Sequence, residues 1–112
     1  KRSPIQETEK AFQRRVIKLA QRLGWAVFHA RATQVRPGKF ITAVAGDGVG
    51  FVDLVMVRDR VLFVELKTNT GAIRERQKTW ISKIRNAKGE VYLWRPKHWD
   101  LIVKTLTQQD HS

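Results

Sequence analysis

Apolar positions along the chain follow two rhythms, and each predicts a kind of element. Phe12, Val16, Leu19, Ala20 and Leu23 recur every three or four residues and predict a first helix over about residues 4–23. Ser3 would be its N-cap, Pro4 its first residue, Gln6 the closure of a capping box and Gly24 its stop. On that helix Glu9 falls beside the apolar stripe and should point inward, while Glu7 falls on the water side. The aromatic and apolar run Trp25–Arg31 predicts a first strand with His29 and Arg31 on one face. Phe51–Val57 and Val61–Lys67, separated by Arg58-Asp59-Arg60, predict a hairpin. Between these, residues 32–50 hold Pro37-Gly38 and Gly46-Asp47-Gly48-Val49-Gly50, which predicts a long mobile loop with a short strand near Phe40–Val44. Gln77, Trp80, Ile81 and Ile84 predict a second helix over about residues 74–88, with Ile73 ahead of it and Gly89 as its stop. Val91–Trp94 then reads as a fourth strand ended by Pro96, and Trp99–Leu106 as a last helix before a polar tail at about 107–112. The order is helix, three strands, helix, strand, helix, with no internal repeat that would suggest a solenoid.

A chain of 112 residues with 42% hydrophobic and 29% charged residues suits one folded domain, taken as residues 1–112, and excludes a largely disordered chain. No apolar run approaches the roughly 18–20 residues that a membrane-crossing helix needs, and no signal-peptide pattern opens the sequence. The absence of cysteine removes disulfides, thiolate zinc sites and cysteine nucleophiles, and fits a reducing cytoplasm as the expected location. Only carboxylates and histidines remain as side chains that could hold a metal.

The net charge of +12 points to a polyanionic partner. Nucleic acid is favoured over an anionic membrane because the helical apolar faces look like core faces, with no separate lipid-facing aromatic face. The charge is uneven: residues 1–40 carry +8 and residues 71–112 carry +5, but residues 41–70, with Asp47, Asp53, Asp59 and Glu65, sum to −1. Carboxylates there would repel the phosphates that the flanks attract, unless a cation reconciles them.

Glu65 and Lys67 are two apart and share a strand face. A three-residue loop Arg58-Asp59-Arg60 would set Val57 opposite Val61 and so Asp53 opposite Glu65, with Cβ atoms about 5 Å apart. A two-residue loop would turn Asp53 to the other face. An acidic-x-Lys triplet by itself fits a surface salt-bridge ladder. Asp53, however, interrupts an apolar run, where a charge costs several kcal/mol unless it is paired. Glu9 and Gln77 interrupt two further apolar surfaces. Two carboxylates that close need a proton or a cation between them, and oxygen ligands alone select a hard ion, Mg²⁺ or Mn²⁺, with the Leu66 carbonyl and waters as further ligands.

Glu9, Gly24-Trp25, His29, Gly50-Phe51-Val52-Asp53-Leu54, Val64-Glu65-Leu66-Lys67, Gln77, Trp80 and Val91-Tyr92-Leu93-Trp94-Arg95-Pro96, in that order, resemble the VRR-NUC (virus-type replication-repair nuclease) branch of the PD-(D/E)XK nuclease superfamily over roughly residues 7–103. Val52 departs from the pattern, which usually has proline before the aspartate. The resemblance implies an α/β restriction-endonuclease-like fold: an αβββαβ core with a mixed four-stranded sheet flanked by helices. It also implies metal-dependent phosphodiester hydrolysis leaving a 5′-phosphate and a 3′-hydroxyl. Asp53 and Glu65 would be metal ligands with the Leu66 carbonyl, Glu9 would complete the acidic set, and Lys67 would position the attacking water or stabilise developing charge. Gln77 would orient Lys67 or the phosphate, or else be a satisfied half-buried amide. Stand-alone members of this branch, in phages or bacteria, look like Holliday junction resolvases of DNA repair and recombination acting as homodimers.

Among the remaining residues, His29 stands as a DNA contact or a packing residue, and Arg31, Arg36 and Lys39 as nucleic-acid-binding candidates beside the glycine-rich loop. Arg14, Arg15, Lys18 and Arg22 lie on the solvent side of the first helix, free to contact DNA or merely to solvate it. Trp25, Trp80 and Trp94 belong to predicted elements and are read as core and interface. The Gly46–Gly50 run leads to a strand and no Gly-Lys-Ser/Thr follows, so no nucleotide cofactor is expected. The rival readings are a non-catalytic DNA- or RNA-binding module, or a nuclease acting on flaps, nicks or linear duplex.

Overall fold

The computed structural model describes residues 6–30, 33–41 and 46–109. Helix α1 spans Glu9–Arg22, β1 Ala26–His29, β2 Thr33–Arg36, β3 Lys39–Ile41, β4 Leu54–Val57 and β5 Val61–Leu66. Helix α2 spans Glu75–Asn86, β6 Glu90–Trp94, and a 3₁₀ turn at Pro96–His98 leads into α3, Trp99–Thr107. Strands β1, β4, β5 and β6 form one mixed sheet in that order, antiparallel except for the parallel β5–β6 pair that α2 connects. The α/β architecture is consistent with a restriction-endonuclease-like core.

Alternation along the central strands divides the core in two. Leu54, Met56, Leu62, Val64 and Leu66 turn to one face, where they pack with Phe12, Val16 and Ala20 of α1 and Ile102 and Leu106 of α3. On the other face Val55 and Phe63 pack with Ile81, Ile84 and Trp80 of α2. Glu65 shares the parity of Phe63, so its side chain leaves the sheet on the α2 side.

Several boundaries move from their predicted places. The first helix begins at Glu9, because the Thr8 hydroxyl accepts the Ala11 amide as N-cap, so Gln6 lies ahead of the helix and closes no box; Ser3 and Pro4 fall outside the described residues. Starting there also reverses the two glutamates. Glu9 is exposed on the first turn, while Glu7 folds back as the bidentate partner of Arg15, with oxygen–nitrogen distances of 2.7 and 2.9 Å. The segment expected to be one long loop carries the β2–β3 hairpin, turned at Pro37-Gly38; β3 occupies Lys39–Ile41, and residues 42–45, the remainder of the expected strand, lie outside the described residues. The Gly46–Gly50 stretch is docked on α2: the Trp80 indole donates to the Asp47 carbonyl at 3.0 Å, and Phe51 meets the Trp80 ring edge-on at 5.0 Å. Gly50 has φ 85°, and a Cβ there would stand 2.6 Å from Arg76 Cβ, so only glycine lets the chain pass this close to the helix.

The hairpin turn does more than reverse the chain. Arg58 donates to the carbonyls of Leu23, Leu106 and Gln108, and Arg60 to those of Thr105 and Gln108. Both guanidiniums lie over the Trp25 ring, at 4.5 and 5.3 Å, and that indole donates to the Leu106 carbonyl at 2.9 Å. The turn thus caps the C-terminal end of α3 with positive charge, where the helix dipole is negative.

Candidate active site

The hairpin register predicted from loop length is observed: Val57 faces Val61, Val55 faces Phe63, and Leu54 faces Val64. The ladder stops there. On β5 alternate residues direct their backbone groups to alternate edges, and Lys67 donates its amide to the Trp94 carbonyl of β6 at 3.0 Å, so Leu66 directs its own toward β4. Strand β4 has ended by then, and the Asp53 carboxylate takes the place of a ladder carbonyl, accepting the Leu66 amide at 2.7 Å. This bond fixes Asp53 at the end of the sheet and leaves the Leu66 carbonyl on the same edge.

Glu65 is buried, with 1% of its surface exposed. Its Oε2 accepts from Gln77 Nε2 at 2.9 Å and lies 3.8 Å from Lys67 Nζ. Its Oε1 is buried with no hydrogen-bond partner. Burial first, then the Asp53 charge, push the Glu65 pKa from 4.5 up to about 8; the Lys67 ammonium opposes this, while the charge of Glu9 adds to it. Without a cation, a proton therefore sits on the pair at neutral pH.

Gln77 is the half-buried, hydrogen-bonded amide of its second expected reading, and it bonds Glu65. Its two ends are used differently: the amide nitrogen holds Glu65, and Oε1 accepts the Arg74 amide at 2.9 Å, capping α2. The residue that starts the helix thereby anchors it to the acidic pair. His29, paired with Leu54 across the sheet, directs Nδ1 to the Asp53 carbonyl at 3.3 Å, which places the imidazole beside the site. Arg36 and Lys39 face each other in the β2–β3 register, whereas Arg31 lies outside the described residues. Arg14, Lys18 and Arg22 are exposed as expected, but Arg15 is engaged by Glu7 and stacks over Trp99 at 3.9 Å. The sequence reading gave no role to Arg95, whose guanidinium bridges the Thr68 and Gly71 carbonyls just beyond Lys67. Arg95 stood in the sequence only as part of the run Val91–Pro96 that ends the resemblance, and nothing in that run pointed to the carbonyls it binds.

The donor set fits a hard divalent cation. Two carboxylates stand at one sheet end, one oxygen of Glu65 is buried and unsatisfied, and the Leu66 carbonyl lies on the same edge. Among the described residues no three His, Asp or Glu side chains converge into a ready cage, so Asp53 and Glu65 stand as a pair and Glu9 at a greater distance, felt through its charge.

The family profile of the VRR-NUC domain matches residues 6–97. The chain belongs to the VRR-NUC family. Comparison with curated proteins and with solved structures gives no match. Membership makes this VRR-NUC chain a nuclease of the PD-(D/E)XK type, a hydrolase with DNA as the implied substrate, from a family that generally uses divalent metals. No helix among the described residues is long and apolar enough to cross a membrane.

Proposed function

We propose that this VRR-NUC domain is a Mg²⁺- or Mn²⁺-dependent endodeoxyribonuclease. The observation that carries the reading is the acidic pair of half-buried Asp53 and buried Glu65 with Lys67 beside it, held at the sheet end by the Leu66 amide and the Gln77 side chain. A divalent cation held by Asp53, Glu65 and the Leu66 carbonyl would supply positive charge against the scissile phosphate and acidity to the attacking water. Glu65 gives up its proton to take that role, and Glu9 completes the acidic set from the solvent side. Lys67 holds its ammonium toward the phosphate, where it stabilises the charge that grows as the water oxygen bonds to phosphorus and the 3′-oxygen leaves. Gln77 keeps Glu65 aimed, and His29 steadies Asp53 through its carbonyl while its other ring nitrogen faces DNA. Arg31, Arg36 and Lys39 supply phosphate contacts.

The narrower reading is selectivity for branched DNA by a two-fold homodimer. Paired cuts in a symmetric junction need two centres, which two copies of the domain related by a two-fold axis would supply. The whole of residues 1–112 then serves as one nuclease domain, working in the cytoplasm of a bacterial or phage-infected cell.

The test incubates a labelled four-way junction and a sequence-matched linear duplex with the protein in EDTA, Mg²⁺ or Mn²⁺, with Asp53→Asn in parallel. The expected result is symmetric, metal-dependent cutting of the junction, reduced by at least on the order of a hundredfold in the variant while DNA binding persists. Equal cutting of the linear duplex would remove the branched-DNA reading. Salt-sensitive binding without product under either metal would replace the nuclease with a non-catalytic DNA-binding module.

A further inference from the structure

Lys67 lies just beyond the last residue of β5, where the chain leaves the sheet. About nine-tenths of its side chain is buried, with 10% exposed, and its ammonium sits 3.8 Å from Glu65 Oε2. A lysine stem has several rotatable bonds, so holding its tip at one point requires a wall along the stem. The turn Thr68–Gly71 is that wall. A Cβ on Gly71 would stand 3.7 Å from Lys67 Cδ and 2.9 Å from Thr68 Oγ1, so the Gly71 α-carbon faces the stem at about one methyl group's remove.

The turn has little to hold it from within: the Gly71 amide reaches the Thr68 carbonyl at a long 3.3 Å. Its support comes from the segment after β6. Arg95 Nη1 donates to the Thr68 carbonyl at 2.6 Å and to the Gly71 carbonyl at 2.8 Å, pinning both ends of the turn with one nitrogen. The Lys97 amide donates to Asn69 Oδ1 at 2.9 Å, and Arg95 is itself fixed by donating its amide to His98 Nδ1 at 3.1 Å. Hydrogen bonds from a charged donor to carbonyls are among the stronger kind, and here they go to a turn whose carbonyls no helix or strand engages.

We infer that Arg95 is a positioning residue for phosphodiester cleavage: its guanidinium ties the Thr68–Gly71 turn to the end of β6, and the turn holds the Lys67 ammonium at Glu65. The inference rests on the reading in which Lys67 acts on the phosphate, but its structural half stands independently of it. Charge alone does not perform the task, because a lysine ammonium on its flexible stem lacks the rigid planar group that holds Nη1 between the two carbonyls.

The test compares Arg95→Ala and Arg95→Lys with the unaltered chain, using Arg58→Ala as a destabilised variant in which the turn is untouched. Acetylation of Lys67 by an N-hydroxysuccinimide ester, without DNA or metal, is read by mass spectrometry against the exposed Lys18. Lys67 should react severalfold faster in Arg95→Ala, at an intermediate rate in Arg95→Lys, and at the unaltered rate in Arg58→Ala. Unchanged protection in Arg95→Ala, or equal loss of protection in Arg58→Ala, overturns the inference whatever the cleavage assay gives. In cleavage, kcat of Arg95→Ala should fall on the order of tenfold to a hundredfold while KM and DNA affinity in chelator stay within about twofold. A parallel loss of kcat and affinity would make Arg95 a DNA contact instead. Failure of the unaltered chain to cleave would refute the nuclease reading alone, since the acetylation result decides the Arg95 clamp separately.

Discussion

Replacing Glu65 by glutamine should stabilise the metal-free protein while abolishing its activity, and the structure sets the size of the effect. The Glu65 pKa rises from 4.5 to about 8 on burial beside Asp53, so the folded chain binds a proton that the unfolded chain does not hold between those pH values. A group with a raised folded-state pKa contributes stability that is fully present below its unfolded value and is lost as pH climbs through the folded one. Each pH unit in that window costs about 1.4 kcal/mol, which amounts to about 3 kcal/mol near neutrality and about 5 kcal/mol above the window. With Glu65 1% exposed, solvent screening does not reduce these figures much. Glutamine keeps the shape of the protonated acid and can still accept from Gln77, but it takes up no proton. Urea unfolding in EDTA should therefore show little difference at about pH 5, and a variant more stable by about 3 kcal/mol at neutral pH, or about 10 °C in Tm. The gap should stop growing above about pH 8. A gap independent of pH, or a variant less stable across the whole range, would refute the argument that Glu65 is strained by its surroundings.

Three further outcomes follow from the same geometry. Gln77→Ala loses the donor to Glu65 and the acceptor of the α2 cap together, whereas Gln77→Glu keeps the acceptor; both should weaken Mn²⁺ binding on the order of tenfold in a calorimetric titration, and only the alanine variant should also lose stability. Arg58→Ala removes three carbonyl bonds and the stacking on Trp25, and should lower stability by about 2–4 kcal/mol in urea unfolding without affecting kcat per folded molecule. Gly50→Ala combines φ 85° with a contact of 2.6 Å to Arg76 Cβ; it should lower stability by about 2–3 kcal/mol and, by shifting the start of α2, reduce cleavage more than its Tm would suggest.

The β4–β5 hairpin was legible in the sequence because strand alternation marks both strands, and of the two loop lengths it allowed the three-residue one is observed, the register that brings Asp53 toward Glu65. The helices were legible through their apolar stripes, though the start of α1 was not: Thr8 and Ser3 both offer a cap, and local chemistry does not decide between them. The β2–β3 hairpin was missed because a three- to four-residue strand around Pro37-Gly38 leaves almost no periodic signal. What the sequence by itself determined was the order of elements, the acidic pair and the lysine beside it, since each follows from spacing along one strand or across one turn. Tertiary structure alone decided that Glu7 serves Arg15 and Glu9 faces solvent, that Gln77 grips Glu65, and that Arg58 and Arg95 bind carbonyls 24 to 50 residues away. Long polar side chains carry no periodicity that names their partner. Where their donors end depends on which carbonyls the packed core has left without a partner, and that is fixed only once the chain has folded.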